Sequence, residues 1–242
     1  MTVTEKIFEA LKAEIRFLFF QEIKPNTEQL KNYYLTIGIV SAWVAGIGRY
    51  WDNPRADLWQ HLGLGSVAYV FLLALILWAL IKPLRPENWS YKSVLVFVGM
   101  TAPPGILYAI PVERYFTLST AQSINVWFLA IVATWRVILL FQYLIRSAKL
   151  SGFTVFVSAM MPLVIIISVL AILNLEHVVF KIMAGSTEDE KTANDSAYVI
   201  LLIITYFSFF LSPILLISYL GLIWKRRKKT SIYGDDSLNK SS

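Results

Sequence analysis

Apolar residues in this chain fall in long runs separated by short polar stretches. A run of about 20 such residues crosses a bilayer as a helix. Six runs approach that length, at 34–51, 63–81, 93–110, 124–145, 152–174 and 197–224. They predict an all-α polytopic bundle of six transmembrane helices occupying residues 34–224. The last run is long enough to tilt or to extend beyond the membrane. The third is short and carries Pro103, Pro104 and Pro111.

Ahead of the first span the pattern changes. Ile7, Phe8, Leu11, Ile15, Leu18, Phe19 and Ile23 recur at helical spacing and predict an amphipathic helix over 5–23. Thr2 and Glu5 fit a capping box at its start, and Pro25 follows it. Residues 1–33 therefore read as an amphipathic helix and linker, lying flat in the membrane interface or packed beneath the bundle. Residues 225–242 read as a basic tail, polar and unstructured after Lys229, and the acidic segment around 185–196 as a mobile loop.

Composition agrees with this picture. Of the 242 residues 57% are hydrophobic and only 16% charged, where soluble domains carry about 25% charged residues. The net charge of +6 does not point to nucleic acid, because the cations flank apolar runs. With the N-terminus placed in the cytoplasm, the inner segments hold 16 Lys and Arg and the outer ones 5. That bias predicts cytoplasmic termini, an even number of spans and a multi-pass cell-membrane protein, with the bacterial inner membrane as its setting. Cysteine is absent, which excludes disulfides and thiolate metal sites. The first thirty residues lack the apolar core of a cleavable signal peptide. No cofactor and no metal is predicted; the expected partners are membrane lipid and either a second copy or another protein.

Three groups of residues are candidates for function. Arg136 is the charge nearest the middle of a span, and an intramembrane charge is a functional-site hypothesis by default. Pro103 and Pro104 lack the N–H groups that an α-helix would direct to the carbonyls of Gly99 and Met100. Those carbonyls lie ten or eleven residues from the outer end of the third span, about 15–17 Å deep. Arg136 lies twelve residues from the outer end of the fourth, about 18 Å deep. The expectation is that Arg136 donates to the carbonyls of Gly99 and Met100, as a structural clamp or as part of a polar path.

The second group gathers at the outer face: Arg49, Asp52, Asp57, His61, Glu113, Arg114, Asn174, Glu176 and His177. Glu113 and Glu176 have the chemistry of an acid/base pair, and Asp52, Glu176 and His177 that of metal ligands. Charges at span ends are also ordinary. The third group is Gly38, Ala42 and Gly46, a small-residue face that permits close helix approach within the chain or between copies. Phosphate-binding glycine loops, zinc-protease helices and nucleophile elbows are absent from the sequence.

The stretch YKSVLVFVGMTAPPGILYAIPV, followed by WFLAIVATWRVILLFQYLIRSAKLSGFTVFVSAMMPLVIII, resembles the bacterial branch of the Yip family over roughly residues 91–170. These are multi-pass membrane proteins whose eukaryotic members interact with Rab-type GTPases. The likeness lies in a span with a central proline, an aromatic-rich span, a short basic turn ending in Ser-Gly and a further span. The family usually has five spans, and its Asp-Leu-Tyr-Gly-Pro signature precedes the first. Here Asp57-Leu58-Trp59-Gln60 follows the first span, so no site residue carries over. The resemblance implies a membrane-organising role without enzymatic activity. The readings that compete with it are a small transporter or channel subunit lined by Arg136 and the proline-broken spans, and a membrane enzyme using the outer-face cluster.

Overall fold

The computed structural model describes residues 2–21, 27–50, 57–172 and 195–238. Among them the secondary structure is helical throughout, with no strand. The described residues form eight α-helices: α1 (Val3–Leu18), α2 (Thr27–Tyr50), α3 (Leu58–His61), α4 (Leu64–Ile81), α5 (Tyr91–Met100), α6 (Leu118–Arg146), α7 (Phe153–Ile172) and α8 (Asp195–Leu238). Short 3₁₀ turns occupy Lys82–Leu84, Pro103–Ala109 and Val112–Arg114.

Three helical stretches are long and apolar enough to cross a membrane: Leu64–Leu84, Ser123–Arg146 and Ile203–Arg226. A fourth arises if α5 and the 3₁₀ segment Pro103–Ala109, bent by 44° at their junction, count as one broken span. Three or four of the six expected runs thus meet this test of length and composition among the described residues. α2 has the length, at 24 residues, but includes Glu28, Lys31 and Arg49. α7 is apolar over the shorter stretch Phe153–Val169, and residues 173 and 174 of its expected run lie outside the described residues.

The helix predicted for 5–23 starts two residues earlier and stops at Leu18. Thr2 and Glu5 do form the capping box: Glu5 N–H donates to Thr2 Oγ1 and Thr2 N–H to Glu5 Oε2. The early stop has a local cause. Phe20 adopts a left-handed conformation (φ 62°), a backbone state that ends helices. The tail also departs from expectation, because α8 continues without interruption to Leu238 over 44 residues. Proline does not recur after Pro213, and Gly234 alone costs a helix only about 1 kcal/mol. Pro213 itself frees the carbonyl of Phe209, and the Ser212 hydroxyl donates to it at 3.0 Å.

The main core joins Ala42 of α2, Val70, Ala74 and Leu77 of α4, Val94, Leu95 and Val98 of α5, Leu139 and Leu144 of α6, and Val155 and Ala159 of α7. α7 and α8 share a second cluster through Val157, Met161, Val164, Leu215 and Tyr219. Outside these seams the helices present apolar side chains to their surroundings, such as Phe71, Leu72 and Leu75 on α4, Trp127 and Ile131 on α6, and Phe207, Phe210 and Ile217 on α8. A surface this apolar over several long helices suits hydrocarbon rather than water.

One end of the bundle is tied together by polar contacts. Arg146 at the end of α6 donates to Phe20 O at 3.2 Å. Glu87 N–H donates to Ala148 O at 3.0 Å, and Arg226 donates to Leu84 O. Four segments are therefore neighbours at this end: the end of α1, the 82–92 connection, the 146–151 connection and the start of the basic cluster. They belong to the four segments that together hold 16 of the 22 Lys and Arg.

Candidate functional site

The opening turns of the site follow from Pro103 and Pro104. α5 ends at Met100 with Thr101 as its cap, and the chain then winds as a 3₁₀ helix. In that winding the donor for a carbonyl sits three residues on, not four. Ala102 N–H donates to Gly99 O at 2.9 Å and Gly105 N–H to Ala102 O at 2.8 Å. The carbonyl three residues before Pro104 is that of Thr101. Arg136 Nε donates to it at 3.0 Å.

The expected acceptors therefore need correction. Arg136 meets Thr101 O rather than the carbonyls of Gly99 and Met100. The cause is the change of winding: Gly99 O is already satisfied at i+3, and the carbonyl lost to Pro104 moves one residue along. The rest of the guanidinium is closely fitted. Its Cζ lies 6.0 Å from the centre of the Tyr69 ring, at the outer limit of a cation–π contact. A Cβ built on Gly105 would lie 3.5 Å from Nη2 and 3.7 Å from the Ala45 side chain. Arg136 is half-buried between α4, α6 and the broken segment.

The small-residue face of α2 is consumed inside the chain. A Cβ on Gly38 would lie 2.4 Å from the backbone of Gly99, and one on Gly46 2.6 Å from Ser66 Oγ. Ala42 between them is buried. This face seats α5 and α4, so it does not serve as a contact between copies.

Four of the nine outer-face residues, Asp52, Asn174, Glu176 and His177, fall outside the described residues, and the side chains of Arg49 and Glu113 are likewise undescribed. Of the rest, Asp57 starts α3, where its N–H donates to Gln60 Oε1 at 2.8 Å and its carboxylate accepts from Trp59 Nε1 at 3.3 Å. His61 closes α3 and is half-buried. Arg114 is exposed in the last 3₁₀ turn. Among the described residues no three His, Asp or Glu side chains are grouped as metal ligands would be.

In α1, which periodicity marked as amphipathic, the structure shows a seat on the bundle that periodicity did not mark. α1 turns Phe17 and Leu18 onto the bundle but not the rest of its large apolar side chains. Ile7, Phe8, Leu11, Ile15 and Phe19 are exposed. The side set against α2 and α5 is instead Ala10, at 0% exposure, and Glu14, at 2%. Ala10 packs with Tyr34, Val96 and Met100, and Phe17 crosses Phe97 edge-on at 6.1 Å. Both carboxyl oxygens of Glu14 are buried without a hydrogen-bond partner. Burial pushes its pKa up from 4.5 to about 8. The only sequence signal was Ala10, a small residue one turn before Glu14 where two helices approach.

The end of α1 is fastened by α6. Trp135 Nε1 donates to Leu18 O at 2.8 Å and Arg146 to Phe20 O at 3.2 Å. These bonds occupy carbonyls that a helix end leaves open. Phe19 and Phe20 contact the Trp135 ring. Beside this seam runs an open groove of about 570 Å³ lined by Phe19, Phe20, Trp127, Ala130, Ile131, Thr134, Trp135 and Ile138. It sets Phe19 and Phe20, just past α1, against the exposed face of a membrane-length helix.

No protein-family model, curated protein or solved structure matches this chain.

Proposed function

We propose that this is a non-enzymatic, six-span membrane protein that organises lipid, with both termini cytoplasmic and α1 as the element that engages the inner leaflet. The observation that carries the reading is the division of α1 into two sides. Ala10, Glu14 and Phe17 seat it on the bundle, and Ile7, Phe8, Leu11 and Ile15 face away. Exposed apolar area of this kind is stable only against another apolar phase. At the end of α1 the aromatic groove adds Phe19 and Phe20 and the exposed face of α6 to this apolar surface. The gathering of the four Lys/Arg-rich segments at one end supports the orientation, since that end is then the cytoplasmic one. The likeness to the Yip family points to the same kind of role, and the bacterial inner membrane is the proposed location.

A fluorophore on Phe8→Cys in lipid nanodiscs tests this. The chain has no native cysteine, so the label reports from one place. Quenching by lipids brominated near the headgroup, with little quenching by aqueous iodide, is the expected result. Quenching by iodide alone would overturn the reading.

A transport role is the second reading, favoured by one observation: the 44° break lies against a charged side chain inside the bundle. Broken helices with polar backbone are tolerated in a membrane where they line a path. Solute flux in proteoliposomes that disappears in Arg136→Ala, with the fold intact, would establish this second role.

A further inference from the structure

We infer that Glu14 is a proton-operated latch: α1 rests on the bundle with the Glu14 carboxyl protonated and lifts away when it ionises. The inference rests on the reading of α1 as the membrane-engaging helix, whose release from the bundle it regulates.

The geometry carries it. Glu14 is enclosed at 2% exposure, and neither oxygen meets a donor. A carboxylate in such a place is costly, and the group neutralises instead. Its neighbours one turn away on α1 are Ala10, Leu11, Phe17 and Leu18, so Lys and Arg are missing from the positions that would pair with it. From α2, Tyr34 is within electrostatic reach of both Glu9 and Glu14, Tyr33 packs beside it, and Lys31 lies one turn earlier, half-buried and engaged in an interaction of its own. From α5 they are the apolar Val96 and Met100. α6 reaches α1 only near its end, where Trp135 and Arg146 hold the Leu18 and Phe20 carbonyls. Those two bonds leave the far end of the helix free to pivot about Phe19 and Phe20. The helix also has an alternative resting place, because its large apolar side already faces outward.

The sign follows from the two states. Released, Glu14 ionises near 4.5; docked, near 8. Between those values the docked state holds one more proton, so raising the pH weakens docking. The docking equilibrium should fall about tenfold per pH unit across this window, approaching three powers of ten in all. Below and above the window it should be flat.

The test uses the full chain in nanodiscs, with spin labels on Thr4→Cys and Lys92→Cys, both exposed positions. The expected result is one distance at pH 5 and a second population that grows towards pH 9. Glu14→Gln, which has the same shape and no charge, should keep the docked distance at every pH. Glu14→Leu should do the same, which guards against a defect peculiar to Gln. A wild-type distribution unmoved from pH 5 to 9 overturns the latch, as does pH dependence that survives in both variants. The label at Phe8→Cys separates the two readings. Movement without lipid quenching keeps the latch and removes the lipid engagement. Lipid quenching without movement does the reverse.

Discussion

If Arg136 substitutes for the donor that Pro104 lacks, restoring that donor should make Arg136 expendable. The perturbation is Arg136→Met, which removes a 3.0 Å charge-assisted bond to Thr101 O and keeps an apolar stem of similar reach. A hydrogen bond to a charged group is worth about 1.5–3 kcal/mol, and a backbone carbonyl left unpaired in hydrocarbon costs several kcal/mol. Removing the guanidinium also relieves its own desolvation, so the single-variant loss is smaller than the sum, about 2 kcal/mol. Pro104→Ala restores an N–H at the position that serves Thr101 O in a 3₁₀ turn. In that background Arg136→Met should cost little. The desolvation contribution is common to both arms and cancels in the double-mutant cycle. The coupling should therefore be at least about 1.5 kcal/mol.

Unfolding in mild detergent, followed by circular dichroism as SDS is titrated in, measures all four corners. Pro103→Ala is the internal control. In the same 3₁₀ count Pro103 falls three residues after Met100, whereas Arg136 donates to Thr101 O. Pro103 should couple to Arg136 much less than Pro104 does. Additive effects of Arg136→Met and Pro104→Ala would refute the clamp. Rescue through Pro103→Ala alone would refute the assignment of Thr101 O as the acceptor.

Gly38→Ala should destabilise by roughly 2 kcal/mol or more, because its methyl would press on the Gly99 backbone; Gly221→Ala, with nothing within 4 Å, should be neutral or slightly stabilising in the same titration. Trp135→Phe combined with Arg146→Met removes both bonds to the end of α1, and limited proteolysis should then cleave near residues 18–21 while the bundle stays intact. For the orientation, an impermeant thiol reagent on intact cells should label Phe116→Cys, an exposed position, and spare Ser237→Cys; the opposite pattern would invert the bundle.

The helices were legible where one physical demand dominates. In α4 and in the membrane-length parts of α6 and α8 nearly every residue must be apolar, and run length alone places α4 and α6 to within a turn or two, whereas α8 continues past its apolar run to Leu238. The third run was legible as irregular, because three prolines cannot be absorbed by an α-helix, and Arg136 was legible as its neighbour in depth. What depth could not convey was the acceptor. Counting four residues back from each proline assumes that the α winding survives the break. It tightens instead, and the orphaned carbonyl shifts by one. The small-residue face of α2 was legible as a close contact, but spacing carries no information on whether the partner is Gly99 of the same chain or another copy. The outer-face charges were legible only as a list, since membership of a site depends on separations in space.

α1 shows the limit most clearly. Periodicity weighs side chains by hydrophobicity, so it locates the strongest apolar stripe and assigns that stripe to whatever is apolar nearby. A soluble bundle has one such place, its core. A protein in a membrane has two, the core and the lipid, and the larger side chains do not always go inward. Close packing on the bundle selects a small residue, Ala10, and it carries Glu14 inside with it because one turn separates them. The carboxyl is then buried by position rather than by affinity. That is the condition under which a group is held neutral by its surroundings and becomes sensitive to pH. The same arrangement that hides Glu14 from a reading of the sequence thus makes the docking of α1 responsive to protons.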